Sequence, residues 1–256
     1  MCTLILGIDV AGPRTVIAGA NRDEDPARPS DPPGLLVPRP PTTRGRDRRA
    51  GGTWLAVRES RALVAMLNRR ERGAPPAGRR SRGLLALETA AVDGDGTDGD
   101  GATLARDGAA HAMAALEAAP YAAFSMVFAT PGSCWMLAHQ PGQPPRLTTI
   151  EAGWHVLTHA ELDDPAEPRT ARLMRELSGF RPASPEEAAR VVAERLREHG
   201  AGRDAVCVHD GPMVTVSSSR VWLEPGSARY LHREGRPCEG EALDVTSLLA
   251  AGTPAA

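Results

Sequence analysis

"CTLILGIDVAGPRTVIAGANRDED" spans residues 2 to 25, and its reading decides the fold. Two apolar runs, 2–10 and 15–20, carry β-branched residues and are separated by the turn "AGPR". Neither run alternates cleanly between apolar and polar positions. The pair therefore reads as a β-hairpin buried on both faces. "NRDED" closes the second strand, and a cysteine stands at the head of the first.

Outward from this hairpin, residues 26–41 are dense in proline ("PARPSDPPGLLVPRPP") and read as a long surface loop, since proline cannot pair in a sheet interior. It ends in the basic "RGRDRR" (44–49), read by default as a solvated loop and, more sharply, as a phosphate-recognising patch. "GGTWLAV" and "RALVAMLN" form a second hairpin around "RES". "SRGLLALETAAV" is helical, with Ser81 as its cap, and "TLARDGAAHAMAALEAA" is a second helix.

Strands follow at "AAFSMVFAT", "SCWMLAH", "RLTTIEA" and "WHVLTH", then helices near 168–178 and 184–199. The latter opens "SPEE", with cap, proline and acids in the favoured order. Strands "AVCVHD", "MVTVSSS", "RVWLEP" and "ARYLHR" and a short helix near 241–250 complete the chain. Blocks of meandering strands with helices between them predict an α+β fold of two packed antiparallel sheets covered by helices, in a single domain over 1–256.

The composition excludes several classes of protein. The 256 residues are 41% hydrophobic and 24% charged, ordinary for a globular chain. A formal charge of −2 gives no reason to expect nucleic acid or an anionic membrane as partner. No run approaches the ~18 apolar residues of a membrane helix. The opening segment lacks the basic flank of a secretory signal, so a cytoplasmic protein is expected. The four cysteines (Cys2, Cys134, Cys207, Cys238) are far apart and contain no C-x-x-C, which favours free thiols in a reducing compartment.

Several residues invite a functional reading. "DGDGTDGDG" (93–101) begins like a calcium loop at Asp93 and Asp95, then fails at Thr97 and Leu104, leaving an acidic connector as the expectation. His155 and His159 sit on a strand, ~13 Å apart at strand rise, too far to chelate. Cys207 and His209 lie two apart with no third or fourth ligand in view, so no metal site is expected. Cys2 is different. Methionine removal would expose a residue carrying both a thiol, pKa about 8.5, and an α-amine, pKa about 7.7–8.0, close enough for the amine to take the thiol proton.

"MCTLIL", "ANRDED" (20–25), "GGTWLAV" and "MLNRR" occur in order, followed by "SRGLL", "AAFSMVF", "HVLTHAELDDP" and "VTVSSS". With these motifs the chain resembles the NRDE family, the relatives of the transport and Golgi organisation protein, over essentially its whole length. The resemblance implies an N-terminal-nucleophile (Ntn) hydrolase fold, a four-layer αββα sandwich akin to cholylglycine hydrolases and penicillin V acylases. It implies Cys2 as nucleophile, Asp23 as the carboxylate that orients the terminal amine, and Asn68 as an oxyanion-hole donor. Asn21, on the same strand face as Asp23, is expected to point at Cys2 with it.

The sequence departs from the hydrolase pattern at three places. Ala20 stands where those enzymes carry an arginine, and the adjacent Arg22 faces the other way unless the strand bulges. His159 replaces their second asparagine. Arg220 is no convincing counterpart of their downstream arginine.

The implied chemistry is attack of Cys2 on a small acyl amide or thioester, resolved by water or by an amine. A second class is also implied by the resemblance, because eukaryotic relatives are tied to secretory-pathway organisation, lipid homeostasis and haem trafficking. In that reading the protein is a non-catalytic carrier of haem or of a lipid or acyl ligand, with no bound cofactor of its own, and for haem Cys2 or His159 is the iron ligand.

Overall fold

The computed structural model describes residues 2–38, 40–59, 61–71, 77–92, 101–200 and 202–250. The Asp/Gly run 93–100 lies outside the described residues. β1 (Thr3–Ile8) and β2 (Val16–Glu24) form the expected hairpin, and both are covered on both faces. Leu4, Leu6, Val16 and Ala18 point into one core, while Ile5 and Ile17 point into another.

β3 (Ser30–Pro38), β4 (Pro41–Asp47), β5 (Leu55–Arg58) and β6 (Ala62–Asn68) continue as an antiparallel meander. The helices α1 (Arg82–Ala90) and α2 (Ala102–Ala118) follow. Ser81 caps α1 by accepting the Leu84 N–H. β7 (Phe124–Thr130), β8 (Ser133–His139) and β9 (Arg146–Thr149) complete a seven-stranded sheet in the order β3-β4-β5-β6-β7-β8-β9.

β10 (Gly153–Leu157) crosses back to β1, and α3 (Pro168–Leu177) and α4 (Pro185–Leu196) follow it. β11 (Val214–Glu224), β12 (Ser227–Glu234) and β13 (Leu243–Asp244) close the six-stranded sheet β10-β1-β2-β11-β12-β13. A short α5 (Ser247–Ala250) lies against β4.

Three separate apolar clusters define the layers. One joins the two sheets through residues such as Leu6, Leu63, Val127 and Leu223. A second lies between the seven-stranded sheet and α1/α2, around Leu85, Leu104, Phe124 and Phe128. The third lies between the six-stranded sheet and α3/α4, around Ile17, Trp154, Leu173 and Val192. Three cores between four layers are the αββα sandwich that the resemblance implies. No helix among the described residues is long and apolar enough to cross a membrane.

Local expectations fail in several places; the helix expected near 241–250 is confined to 247–250, because Leu243–Asp244 pair with β12 as β13. The proline-rich stretch is not all loop, because residues 30–38 pair with β4. β3 is an edge strand that bonds on one side only; a register shift at Asp31/Gly34 interrupts its pairing with β4 where Pro32 and Pro33 lack donors, and a second shift follows at Leu35/Val37. The "RGRDRR" segment is not a solvated loop. Its first four residues belong to β4, and Arg44 is buried because its guanidinium donates to the carbonyls of Gly51 and Gly52 at 3.2 and 3.1 Å. Residues 205–210 are not a strand, since the N–H groups of Val206 and Cys207 both donate to the Glu198 carbonyl at the end of α4. Finally, "VTVSSS" and "RVWLEP" are one continuous strand, β11.

One contact sets the distance between α1 and the seven-stranded sheet. A Cβ on Gly83 would come within 2.8 Å of both the backbone nitrogen and oxygen of Thr53, and one on Gly52 would collide with Gly83 itself. The Thr53 N–H donates to the Gly83 carbonyl at 3.0 Å across this seam. Gly83→Ala is expected to destabilise the protein by about 1–3 kcal/mol, because main chain rather than a flexible side chain has to give way. Urea unfolding measures it.

β10 carries a titratable pair. Burial lowers the His155 pKa, but the Asp163 carboxylate, 2.7 Å from Nδ1, more than offsets this and holds the imidazole above its ordinary value. The pair therefore stabilises fully below the ordinary histidine pKa, and the contribution fades as pH rises through the raised one. Asp163→Asn retains an acceptor for the Val156 N–H and tolerates the left-handed backbone (φ 56°). It should lose roughly 0.5–1 kcal/mol in urea unfolding at pH 6 and much less at pH 9.

Candidate active site

Period-two alternation along β2 divides its polar end between two sides of the sheet. Arg22 and Glu24 share a face with Val16 and Ala18 and line a cavity of about 370 Å³ that also contains Cys2 and Asn68. The far wall comes from Gly52–Trp54, Met66 and Ser81–Gly83. Stretches scattered between residues 2 and 83 thus meet around one space. The motifs "MCTLIL", "NRDED", "GGTW", "MLNRR" and "SRGLL" each contribute to it.

Arg22 does not face away from Cys2, as the alternation of β2 alone suggested. Its guanidinium lies over the Trp54 ring, 4.3 Å from the centroid, and NH1 donates to Ser30 Oγ at 3.3 Å. β11 is irregular opposite this point, with a register shift between Thr215 and Ser217. Arg28, Arg79, Arg80 and Arg82 also line the cavity, against the acids Glu24 and Asp47. Arg28 donates to Asp47 at 2.6 Å, and Arg82 donates to the Ala123 carbonyl at 2.9 Å. Arginine is in excess at this wall.

Asn21 and Asp23 occupy the opposite face. Asn21 does not point at Cys2; its Nδ2 donates to the carbonyls of Leu196 and Val206 at 2.9 and 3.0 Å, fastening β2 to the end of α4. Asp23 is buried. Its Oδ1 accepts the Thr215 hydroxyl at 2.7 Å and its Oδ2 faces Arg169 NH1 at 3.5 Å. Arg169 NH1 also donates to Thr3 Oγ1 at 2.6 Å. Burial pushes the Asp23 carboxyl above the ordinary range, with Thr215 and Arg169 pulling the other way.

Cys2 lies between the two faces. Its sulfur is 3.8 Å from the Asp23 carbonyl oxygen. Burial, then the Asp23 charge, raises the thiol pKa above its ordinary value, so the resting group is a thiol rather than a thiolate.

His159 is not among the residues that line the Cys2 cavity. It lines a second cavity of about 280 Å³ with Arg69, Arg70 and Glu161. Its Nε2 is 3.0 Å from Arg70 NH2, and burial followed by the Arg70 charge lowers its pKa. Neutral Nε2 accepts from that guanidinium.

Arg169 and Thr215 had no place in the sequence reading. Arg169 sits in the first turn of α3, among residues that gave no motif. Thr215 lies inside "VTVSSS", whose hydroxyls were noted without a partner. One further grouping is absent from the sequence reading, which saw only two of its members: His199, Cys207, His209 and Cys238 converge, with their ligand atoms all within 4.8 Å of one another.

Thr215 supports Asp23 from one side and accepts the Val208 N–H at 2.9 Å from the other. Thr215→Val keeps the strand shape and removes both bonds, one of them to a charged group. Urea unfolding is expected to show a loss of about 1–3 kcal/mol.

Comparison with known proteins agrees with this fold. No curated protein matches the sequence. Among solved structures, the Caenorhabditis elegans ortholog of N-acylethanolamine-hydrolyzing acid amidase superposes with a TM-score of 0.55 at 14% identity, covering 88% of this chain and 94% of that one. A cysteine-to-alanine mutant of the conjugated bile acid hydrolase from Clostridium perfringens gives 0.50 at 11% identity, over 96% of this chain and 93% of that one. A second variant of the same enzyme gives 0.52 at 11% identity, with the same coverage. Identities this low speak for the Ntn-hydrolase fold alone. The family model described as Transport and Golgi organisation 2 matches residues 1–199, and the chain belongs to that family.

Proposed function

We propose that the protein is a cysteine-dependent amidase or acyltransferase whose substrate is a small acyl amide or thioester bearing an anionic group. The observation that carries this reading is the convergence of the family's scattered motifs on one cavity that contains Cys2. The resemblance supplies the chemistry, and the excess of arginine in the wall supplies the charge preference. The solved neighbours described as hydrolases act on an acylethanolamine and on conjugated bile acids.

Removal of Met1 leaves Cys2 with a free α-amine. The thiol proton leaves during the attack, and the α-amine accepts it as sulfur bonds to the acyl carbon. Asn68, at the exposed end of β6 and on the cavity wall, donates its side-chain N–H to the oxygen that becomes negative. Collapse breaks the bond to the leaving group, which takes the proton from the α-ammonium. Water or an amine then attacks the thioester, gives its proton to the α-amine, and releases the acyl product while the thiol is restored. Asp23 holds the amine in place, itself held by Thr215 and Arg169.

Wild type and Cys2→Ala are compared on a panel of N-acyl amides and acyl thioesters, after intact mass has established the amino terminus. Turnover is expected from the processed wild type alone, falling as pH drops below the α-amine pKa because the protonated amine is no base. Asn68→Ala should lose roughly 10²–10³ in rate. A retained Met1, or turnover unchanged in Cys2→Ala, defeats the proposal. The carrier alternative predicts a Soret shift on haem titration of the wild type that Cys2→Ala or His159→Ala abolishes, and no turnover.

A further inference from the structure

We infer that His199, Cys207, His209 and Cys238 form a tetrahedral site for a divalent transition metal, zinc being the best match to two thiolates and two imidazoles. The ligand atoms lie within 4.8 Å of one another although they come from three separate segments. Cys207 Sγ is 3.5 Å from Cys238 Sγ and 3.6 Å from His209 Nε2, and His209 Nε2 is 3.1 Å from Cys238 Sγ. Bonds of about 2.3 Å to sulfur and 2.0–2.1 Å to nitrogen at tetrahedral angles put neighbouring ligand atoms roughly 3.3–3.8 Å apart. The His199 ring packs edge-on against His209 with centroids 4.5 Å apart, which supplies the fourth corner.

The main chain assembles this arrangement. His199 lies three residues beyond the end of α4, and Gly200 (φ 52°) turns the chain so closely that a Cβ there would come within 2.8 Å of the Ala205 nitrogen. The Glu198 carbonyl then accepts the N–H groups of Val206 and Cys207, laying Cys207 beside His199. Cys238 arrives from the 3₁₀ turn after β12 (Pro237–Glu239), and Arg236 donates to the His209 carbonyl at 3.2 Å.

Binding releases the two thiol protons to solvent as two sulfur–metal bonds form, while the histidines bind neutral. Two thiolates balance a divalent cation, so the half-buried site carries no net charge. Four protein ligands leave no open position, which makes the role structural. The metal would join the end of α4, the 206–209 segment and the turn after β12. That segment touches the Asp23 network, because Val208 donates to Thr215 and Val206 accepts from Asn21. The site nevertheless stands independently of whether Cys2 is a nucleophile.

The test is titration of the full chain, purified under reducing conditions and stripped with a chelator, with Co²⁺ followed by Zn²⁺. One equivalent of Co²⁺ should give tetrahedral d–d bands and a thiolate charge-transfer band, both erased by Zn²⁺. Cys238→Ser should remove most of the charge-transfer intensity, and the exposed His199→Ala should weaken Co²⁺ binding by at least about 100-fold, more than the loss of a supporting partner does. Cys2→Ala should leave the spectrum unchanged. Zn²⁺ should raise the thermal midpoint of the stripped wild type. A wild-type spectrum without thiolate charge transfer overturns the inference whatever the variants do. So does binding that survives Cys238→Ser and His199→Ala alike, or a Cys207–Cys238 disulfide in protein isolated with reductant.

Discussion

Strand alternation at the end of β2 is the constraint on which the rest of the structure depends. Up to Ala18 the strand places aliphatic groups in two cores at once. Beyond it the same two-residue period hands polar groups to both sides, Arg22 to the inter-sheet cavity and Asp23 to the helix side. A carboxylate and a guanidinium one residue apart therefore never compete for each other. Asp23 answers to Thr215 and Arg169, while Arg22 answers to Trp54 and Ser30. Cys2, just ahead of β1, lines the cavity, and its sulfur is 3.8 Å from the Asp23 carbonyl oxygen.

Such an arrangement requires rigidity on both faces. Arg169 reaches the sheet from the first turn of α3, whose Glu167 cap accepts both the N–H and the hydroxyl of Thr170. Asn21 ties β2 to the end of α4. The hydrogen bonds of Asn21 Nδ2 to the Leu196 and Val206 carbonyls and of the Thr215 hydroxyl to Asp23 offset part of the cost of removing these groups from water.

Much of the fold was legible because it follows from local chemistry. Ser81 and Ser184 announced their helices through the caps they form, and the first two hairpins showed as apolar runs around turn residues. The failures share a cause. Residues 30–38 and 205–210 depend on partners far away in sequence: an edge position absorbs the prolines of the first, and the Glu198 carbonyl diverts the second. For the candidate site, Cys2, Arg22 and Asn68 could be named from motifs, and they do share a cavity. Asn21 was misdirected because same-face logic says nothing about which face lies toward the sulfur. Arg169, and the meeting of His199 with Cys238, depend on helix docking and on a turn, neither of which leaves a periodic signal.

The seam between Gly52 and Gly83 has a wider meaning. Where two stretches of backbone touch without side chains between them, part of the chamber's lining is peptide rather than residue-specific chemistry. Evolution can retune the guanidinium-bearing wall by ordinary substitution, but this border offers nothing to exchange. Diversification of ligand preference in such a scaffold is channelled to the guanidinium-bearing side chains, Arg82 beside the seam among them, while the seam itself keeps its shape.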